Sequence, residues 1–547
     1  MAPVARTRTR VLWFPLILLL AAHLVLAQQP HIVFIMADDL GWNDVGFHGS
    51  IQIPTPNIDA LAYSGLILDR YYVAPICTPS RSAMMTGKHP IHTGMQHEVL
   101  KGAEPRGLPL EEKLLPQYLQ DLGYSTHIVG KWHLGFYKKE YTPTYRGFES
   151  HLGYWTGHQD YFDHTAVETP YWGLDMRRDL APAWDLHGQY STDVFTKVAV
   201  SLIEKYNTNK PLFLYLAHAA VHSGNPYNPL PAPEEEVAKF SSISDYKRRR
   251  FAAMLSKLDQ SVGNVVEALR KKDMLKNSII IFSTDNGGPA AGFNLNAASN
   301  WPLRGVKNTL WEGGVRGAGL IWTPKISNPG RVAKQIFDVS DWLPTLLAAA
   351  GGDTSNLTMD GLNLWGALKD DTESPRQTVL HNIDDQIGNA AISTNGWKLV
   401  QGSSYNGFWD SWYGPSGREG AYDVAAVIGS STGRAISSIG LALTPDKIRS
   451  LRDQVTITCP PKNDNLPECQ PMKAPCLFHI YEDPCEMNNL AEENPDMLAK
   501  LQGELKRWNS TAVRPGNLPW DSKADPKLWD HLWTNFGDFT VMVNVAG

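Results

Sequence analysis

The chain has 547 residues, of which 43% are hydrophobic, 19% charged and 10% aromatic. That balance excludes bulk disorder, which requires few aromatics, and at roughly 100–200 residues per domain it predicts two or three folded units. The formal charge of −6 and the lack of any sustained basic run exclude nucleic acid as a main partner.

In chain order, the first feature is a targeting pattern. Arg6, Arg8 and Arg10 precede an apolar run from Val11 to Ala27, and residues 25–27 offer a cleavage site, so residues 1–27 read as a secretory signal peptide. A retained anchor is the competing reading, because the run approaches spanning length. Pro15 and His23 interrupt it, and the expectation is a protein of the secretory pathway, lysosomal or secreted, without a stable membrane anchor.

Ile32–Met36 then reads as a buried strand ending at Asp38-Asp39, followed by a helical stretch near 111–122 and a strand near 125–129. Leu212–Leu216 and Ser278–Phe282 are two more β-rich runs, with a long helix over Tyr246–Lys271 between them. The basic cluster 247–250 falls on that helix and reads as a solvated face. Strands alternating with helices predict an α/β domain over 28–375, its mostly parallel sheet covered on both faces. In such sheets, sites form beyond the carboxyl ends of the strands. From about residue 376 to 547 the texture changes to that of a smaller domain. Ala391–Val400 reads as an exposed strand and 402–440, rich in Gly and Ser, as an irregular insertion. A strand over Leu477–Tyr481 and an amphipathic helix over Pro495–Trp508 follow.

Two sequons, at Asn356 and Asn509, fit a secretory route as N-glycosylation sites. Of five cysteines, Cys459, Cys469, Cys476 and Cys485 cluster and predict two disulfides, with three pairings open. A zinc site is the alternative, but the spacings lack a CxxC pair. Cys77 is left over.

Asp38 and Asp39 are adjacent at a strand end where like charges repel, and Asp285-Asn286 sits at another on a Gly-rich turn. Turn and cap roles explain either alone. Together, three carboxylates and an amide oxygen without paired histidines suit Ca2+ or Mg2+ better than zinc. Pro79 and Ser80 open a helix with Cys77 at its N-terminus, where backbone N–H groups favour an anion and lower a thiol's pKa.

Cys77-Thr78-Pro79-Ser80-Arg81 through Thr86-Gly87 resembles the sulfatase signature C-x-P-S-R-x-x-x-x-T-G at every fixed position, and Gly123 through His133 resembles the second signature. The chain is thus identified as a member of the sulfatase family, with wording most similar to its animal arylsulfatase B members from about residue 30 to 385. The resemblance implies an alkaline-phosphatase-like sheet flanked by helices, with a smaller C-terminal α+β domain holding an antiparallel sheet. It implies oxidation of Cys77 to formylglycine by the formylglycine-generating enzyme. The hydrated aldehyde then attacks sulfur beside one Ca2+ ion and later expels sulfate. By motif position, Asp38, Asp39, Asp285 and Asn286 correspond to metal ligands, with residue 77 bound to the same ion. Arg81 corresponds to the arginine holding the hydrate, and Lys131 and His133 to contacts of sulfate and hydrate. Lys307 corresponds to a sulfate-binding lysine, and His222 to the histidine that protonates the leaving oxygen, although no proline follows it within two residues and His218 lies nearby. The implied substrate is a sulfated carbohydrate such as N-acetylgalactosamine 4-sulfate in glycosaminoglycans. Small sulfated glucosides or aryl sulfates are the alternative, and a catalytically silent secreted binding protein a third. His48, His89, His92, His97, His158 and His187 carry no motif.

Overall fold

The computed structural model describes residues 29–539, so the expected signal peptide lies outside the described residues. Among the described residues, twelve strands precede residue 340: β1 (His31–Ala37), β2 (Leu66–Tyr72), β3 (Ser125–Lys131), β4 (Ser150–Tyr154), β5 (Thr165–Glu168), β6 (Tyr171–Leu174), β7 (Arg177–Arg178), β8 (Ala181–Pro182), β9 (Leu212–Ala217), β10 (Ser278–Thr284), β11 (Gly319–Trp322) and β12 (Arg331–Asp338). Ten of them form one sheet in the order β12-β2-β11-β10-β1-β9-β3-β4-β7-β8, with β5 and β6 a separate hairpin. β1 runs parallel to both neighbours, and β3 parallel to β9 and β4. β11 is antiparallel inside the sheet, and β7 and β8 form an antiparallel edge.

All seven residues of β1 are buried, as its unbroken apolar run requires of a strand covered on both sides. Val33, Ile35 and Ala37 pack with Leu214 and Phe282 beneath the helices Ser191–Lys205 and Tyr246–Lys271. Ile32, Phe34 and Met36 face the opposite way, toward Trp342 and Leu346. The long helix covers the residues expected of it, opened by Asp245, whose carboxylate accepts the Arg248 N–H at 2.7 Å. The basic cluster is less solvated than its composition suggests: Arg248 pairs with buried Asp44 and Arg250 with Glu234.

A second sheet is antiparallel throughout, in the order β13 (Thr378–Asp384), β14 (Asn389–Thr394), β15 (Trp397–Gln401) and β16 (Cys476–His479). The stretch expected as one exposed strand is β14 and β15, folded back at Asn395-Gly396, both at positive φ. That dipeptide is the hairpin signal itself. The hairpin is buried on both faces, by Trp311 and Val315 on one side and by Leu501 and Leu505 of the helix Pro495–Asn509 on the other.

Residues 402–440, expected as irregular, contain the helices Val424–Ile428 and Ser431–Ser437, and a third follows at Pro445–Val455. Asp423, Ser430 and Thr444 cap them with side-chain oxygens. Val427, Ile436 and Leu451 join the core over the large sheet. The cysteines pair as Cys459–Cys485 and Cys469–Cys476, leaving Cys77 free and buried. Among the described residues no helix is long and apolar enough to cross a membrane.

Candidate active site

The site lies where the central strands end. Asp38 and Asp39 follow β1, Asp285 and Asn286 follow β10, Lys131 closes β3 with His133 two residues on, and His222 sits in the loop after β9. Gly130 allows β3 to reach this edge: at φ 111°, a Cβ there would lie 1.8 Å from the Ala217 carbonyl oxygen. Cys77 begins the helix Cys77–Thr86, so Arg81 lies one turn on along the same face. All the candidate residues named from sequence, other than the two sequon asparagines, converge here. Asn356 and Asn509 are exposed elsewhere on the surface.

Three acids face three cations. Lys131 Nζ lies 2.7 Å from Asp38 Oδ2, and Lys307 Nζ 2.6 Å from Asp39 Oδ1. Arg81 donates from Nε to Asp285 Oδ2 at 3.0 Å and places a second nitrogen 2.8 Å from the same oxygen. Asn286 donates from Nδ2 to Asp39 Oδ1 at 2.8 Å, and the Cys77 thiol to Asp38 Oδ1 at 3.7 Å. Asp38, Asp39 and Asp285 have no exposure to solvent.

Burial by itself would raise the Asp38 carboxyl, but the charges of Lys131, His222 and Arg81 hold it below the ordinary value. Asp39 is likewise held low against burial, by Lys307 and His222 and by the Asn286 hydrogen bond. Cys77 departs from its sequence expectation. Burial, helped by the charges of Asp285 and Asp38, outweighs the nearby Lys131 and Lys307 and pushes its thiol up to about 12. Burial also lowers His222, with Asp39 opposing it, and lowers His133 further, with Lys131 adding to the effect.

Donor atoms of Asp38, Asp39, Cys77 and His222 lie within 4.8 Å of one another. Asp285 stands beside this group with Oδ2 given to Arg81, while its Oδ1 accepts the Asp39 N–H at 3.1 Å. The Asn286 side-chain oxygen is buried without a hydrogen-bond partner. An orphaned amide oxygen among carboxylates fits a hard, oxygen-seeking divalent cation. His222 bonds from Nδ1 to the Ser223 carbonyl at 2.6 Å and points Nε2 at Asp39, 3.5 Å away. His218 is remote from this chemistry, fully buried against the Ser261 hydroxyl at 2.9 Å.

The cluster floors a cavity of about 470 Å3 whose lining includes Cys77, His133, His222 and Lys307. Its walls bring in residues that no motif marked: Lys101, His158, Glu168 and Tyr405. Each comes from a loop or edge strand whose local pattern says nothing of chemistry, and only the tertiary fold assembles them. His48, by contrast, stacks on Trp42 at 3.5 Å in the core, and His92 and His97 pair with Asp360 and Asp384 outside the cavity lining.

The sulfatase family profile matches residues 30–352. Arylsulfatase J of Mus musculus is 39% identical over 92% of this chain and 80% of its own length, and arylsulfatase A of Homo sapiens 32% identical over 72% and 79%. Among solved structures, Ps i-CgsB in complex with k-i-k-neocarrahexaose superposes with a TM-score of 0.69 at 28% identity, over 89% of this chain and 94% of that one. With its strand-end acids, buried signature cysteine and paired cations in place, the chain belongs to the sulfatase family, hydrolases of sulfuric esters.

Proposed function

We propose that this sulfatase acts on sulfated carbohydrate, that its cluster holds one Ca2+ ion, and that residue 77 works as formylglycine. The observation that carries the reading is the seat of Cys77, within 3.7 Å of Asp38 and inside a ring of three carboxylates and three cations. A buried thiol at about 12 is protonated at any physiological pH and is a poor nucleophile, which supports conversion of its side chain. Cys77 is 1% exposed, so the formylglycine-generating enzyme must reach it before the fold closes.

Asp38, Asp39, Asp285 and Asn286 would hold the ion. Bound there, Ca2+ supplies a Lewis acid for sulfate oxygens, and the hydrated aldehyde supplies an oxygen nucleophile. The charge balance suits an anion. Three carboxylates offset Arg81, Lys131 and Lys307, so a divalent cation leaves the site net positive toward a sulfate ester. His222 has Nδ1 tied to the Ser223 carbonyl, which leaves Nε2 to carry the proton given to the leaving oxygen. His133 donates from Nε2 to the Leu100 carbonyl at 3.0 Å, which keeps its partnerless Nδ1 as an acceptor for a hydroxyl of the hydrate.

The family resemblance favours N-acetylgalactosamine 4-sulfate in glycosaminoglycans. The cavity of about 470 Å3 favours a second reading, small sulfated glucosides or aryl sulfates, because it is the size of a small-ligand pocket. On this reading residues 28–375 form the catalytic domain and 376–547 a smaller domain that lends Tyr405 to the pocket rim. The leader pattern and the exposed Asn356 and Asn509 support passage through the secretory pathway, to a lysosome or the exterior, with both asparagines glycosylated.

The test is the mass of the tryptic peptide containing Cys77, from protein secreted by eukaryotic cells, together with hydrolysis of a chromogenic aryl sulfate. An aldehyde in place of the thiol, and activity lost in Cys77→Ala, is the expected result. An intact thiol in active protein overturns the formylglycine assignment.

A further inference from the structure

His158 stands between the two histidines of the site without belonging to either signature. Gly157 presses against His133, where a Cβ would lie 2.8 Å from the ring, and the His158 ring stacks beside that of His222 at 6.1 Å and 17°. Its Nε2 lies 3.1 Å from the Val167 carbonyl oxygen. A carbonyl can only accept, so Nε2 carries the hydrogen and Nδ1 is the free position. No described residue offers Nδ1 a partner, and the ring lines the same cavity as Cys77 and His222.

The backing of this ring is rigid. Val167 is fixed by its own N–H, given to Asn225 Oδ1 at 3.0 Å, and the neighbouring Ala166 carbonyl accepts the Trp533 indole N–H at 3.0 Å. The ring therefore holds one orientation beside His222.

We infer that His158 is a substrate-binding residue whose Nδ1 accepts a hydrogen bond from a hydroxyl on the carbon next to the sulfated one. The inference rests on the proposed reading of this pocket as a site for sulfated carbohydrate and narrows it to esters with a free neighbouring hydroxyl. Two nearly parallel rings 6.1 Å apart can each reach one of two oxygens on adjacent carbons, His222 taking the ester oxygen and His158 the hydroxyl. Burial, reinforced by His222 and Lys131, pulls His158 down to about 3, which keeps the ring neutral and able to accept.

Two aryl sulfates that differ by that hydroxyl alone test the inference: 2-hydroxy-5-nitrophenyl sulfate and 3-nitrophenyl sulfate. The ratio of their kcat/KM values is read in the wild type, in His158→Phe, which keeps a flat ring beside His222 but no acceptor, and in His158→Gln, which restores an amide oxygen. The ratio is expected to fall about 2- to 10-fold in His158→Phe, the range of one neutral hydrogen bond, and to recover in His158→Gln. Electronic effects of the hydroxyl cancel between the proteins. A comparison within the wild type needs no variant: 2-hydroxy-5-nitrophenyl sulfate is expected to outrun 2-fluoro-5-nitrophenyl sulfate, whose fluorine cannot donate. An unchanged ratio in His158→Phe, or no preference for the hydroxyl over fluorine, overturns the role of His158 and leaves the sulfatase reading standing. Absence of turnover of all three compounds by wild type carrying the aldehyde overturns both.

Discussion

Lys131 Nζ lies 2.7 Å from Asp38 Oδ2, and neither side chain has any exposure to solvent. Removing one partner of such a pair strands the other charge, at a cost of about 3–5 kcal/mol. Lys131→Met is therefore expected to lower the unfolding midpoint strongly in chelator. Saturating Ca2+ should recover much of the loss, because the ion takes over compensation of Asp38. Thermal unfolding with EGTA and with Ca2+ checks this, and an equal loss in both conditions would contradict a metal role for Asp38.

Metal binding by the folded state alone should stabilise the wild type by about 4 kcal/mol at a thousandfold excess over Kd. In Asn286→Ala the orphaned amide oxygen is gone. Calorimetric titration with Ca2+ is expected to show affinity at least about tenfold weaker in this variant, a ligand's loss costing more than 1.4 kcal/mol.

Trp533 is fully buried and holds the Ala166 carbonyl behind the pocket wall. Trp533→Ala should cost about 3–5 kcal/mol in stability. Because the hairpin it supports carries Val167 and Glu168, KM should rise by a larger factor than kcat falls in protein that remains folded at the assay temperature.

Glu168 supplies a pH effect of definite sign. Burial raises its carboxyl to about 7, against the Gly102 N–H bond that favours the ionised form. At pH 5 the folded state then binds a proton that the unfolded chain has largely lost, so stability is greater there and declines as pH rises toward and through 7. From pH 5 to 7.5 the decline amounts to about 2 kcal/mol. Glu168→Gln should raise the unfolding midpoint at pH 7.5 and hardly at pH 5. The reverse pattern in a thermal scan would refute the assignment.

What the sequence made legible follows from how local each signal is. The apolar runs of β1, β9 and β10 announce strands covered on both faces, and the acids at their ends fall on the edge where sites form, so Asp38, Asp39, Asp285 and Asn286 could be named by pattern. The two signatures carried Cys77, Arg81, Lys131 and His133. Lys101, Glu168 and Tyr405 could not be read, because their roles depend on which loops meet across a cavity. The thiol of Cys77 shows the same limit in energetic form: its helix position is visible in the sequence, but the burial that raises the thiol is not. The error at 391–400 is of another kind. Asn395-Gly396 marks a turn, although the stretch around it reads as one strand.

Residues 516–533 tie down two walls of the pocket. Gly516, Leu518 and Asp521 bond with Gly94, Glu104 and Ala103, while Leu532 and Trp533 grip the β5–β6 hairpin. These residues leave the ribosome after almost everything they clamp. The wall beside Cys77 thus cannot be completed before residues 516–533 have emerged. Until residues 516–533 have emerged and docked, Cys77 sits in an unfinished cavity, and on the proposed formylglycine reading their docking closes the window in which a modifying enzyme can reach that side chain.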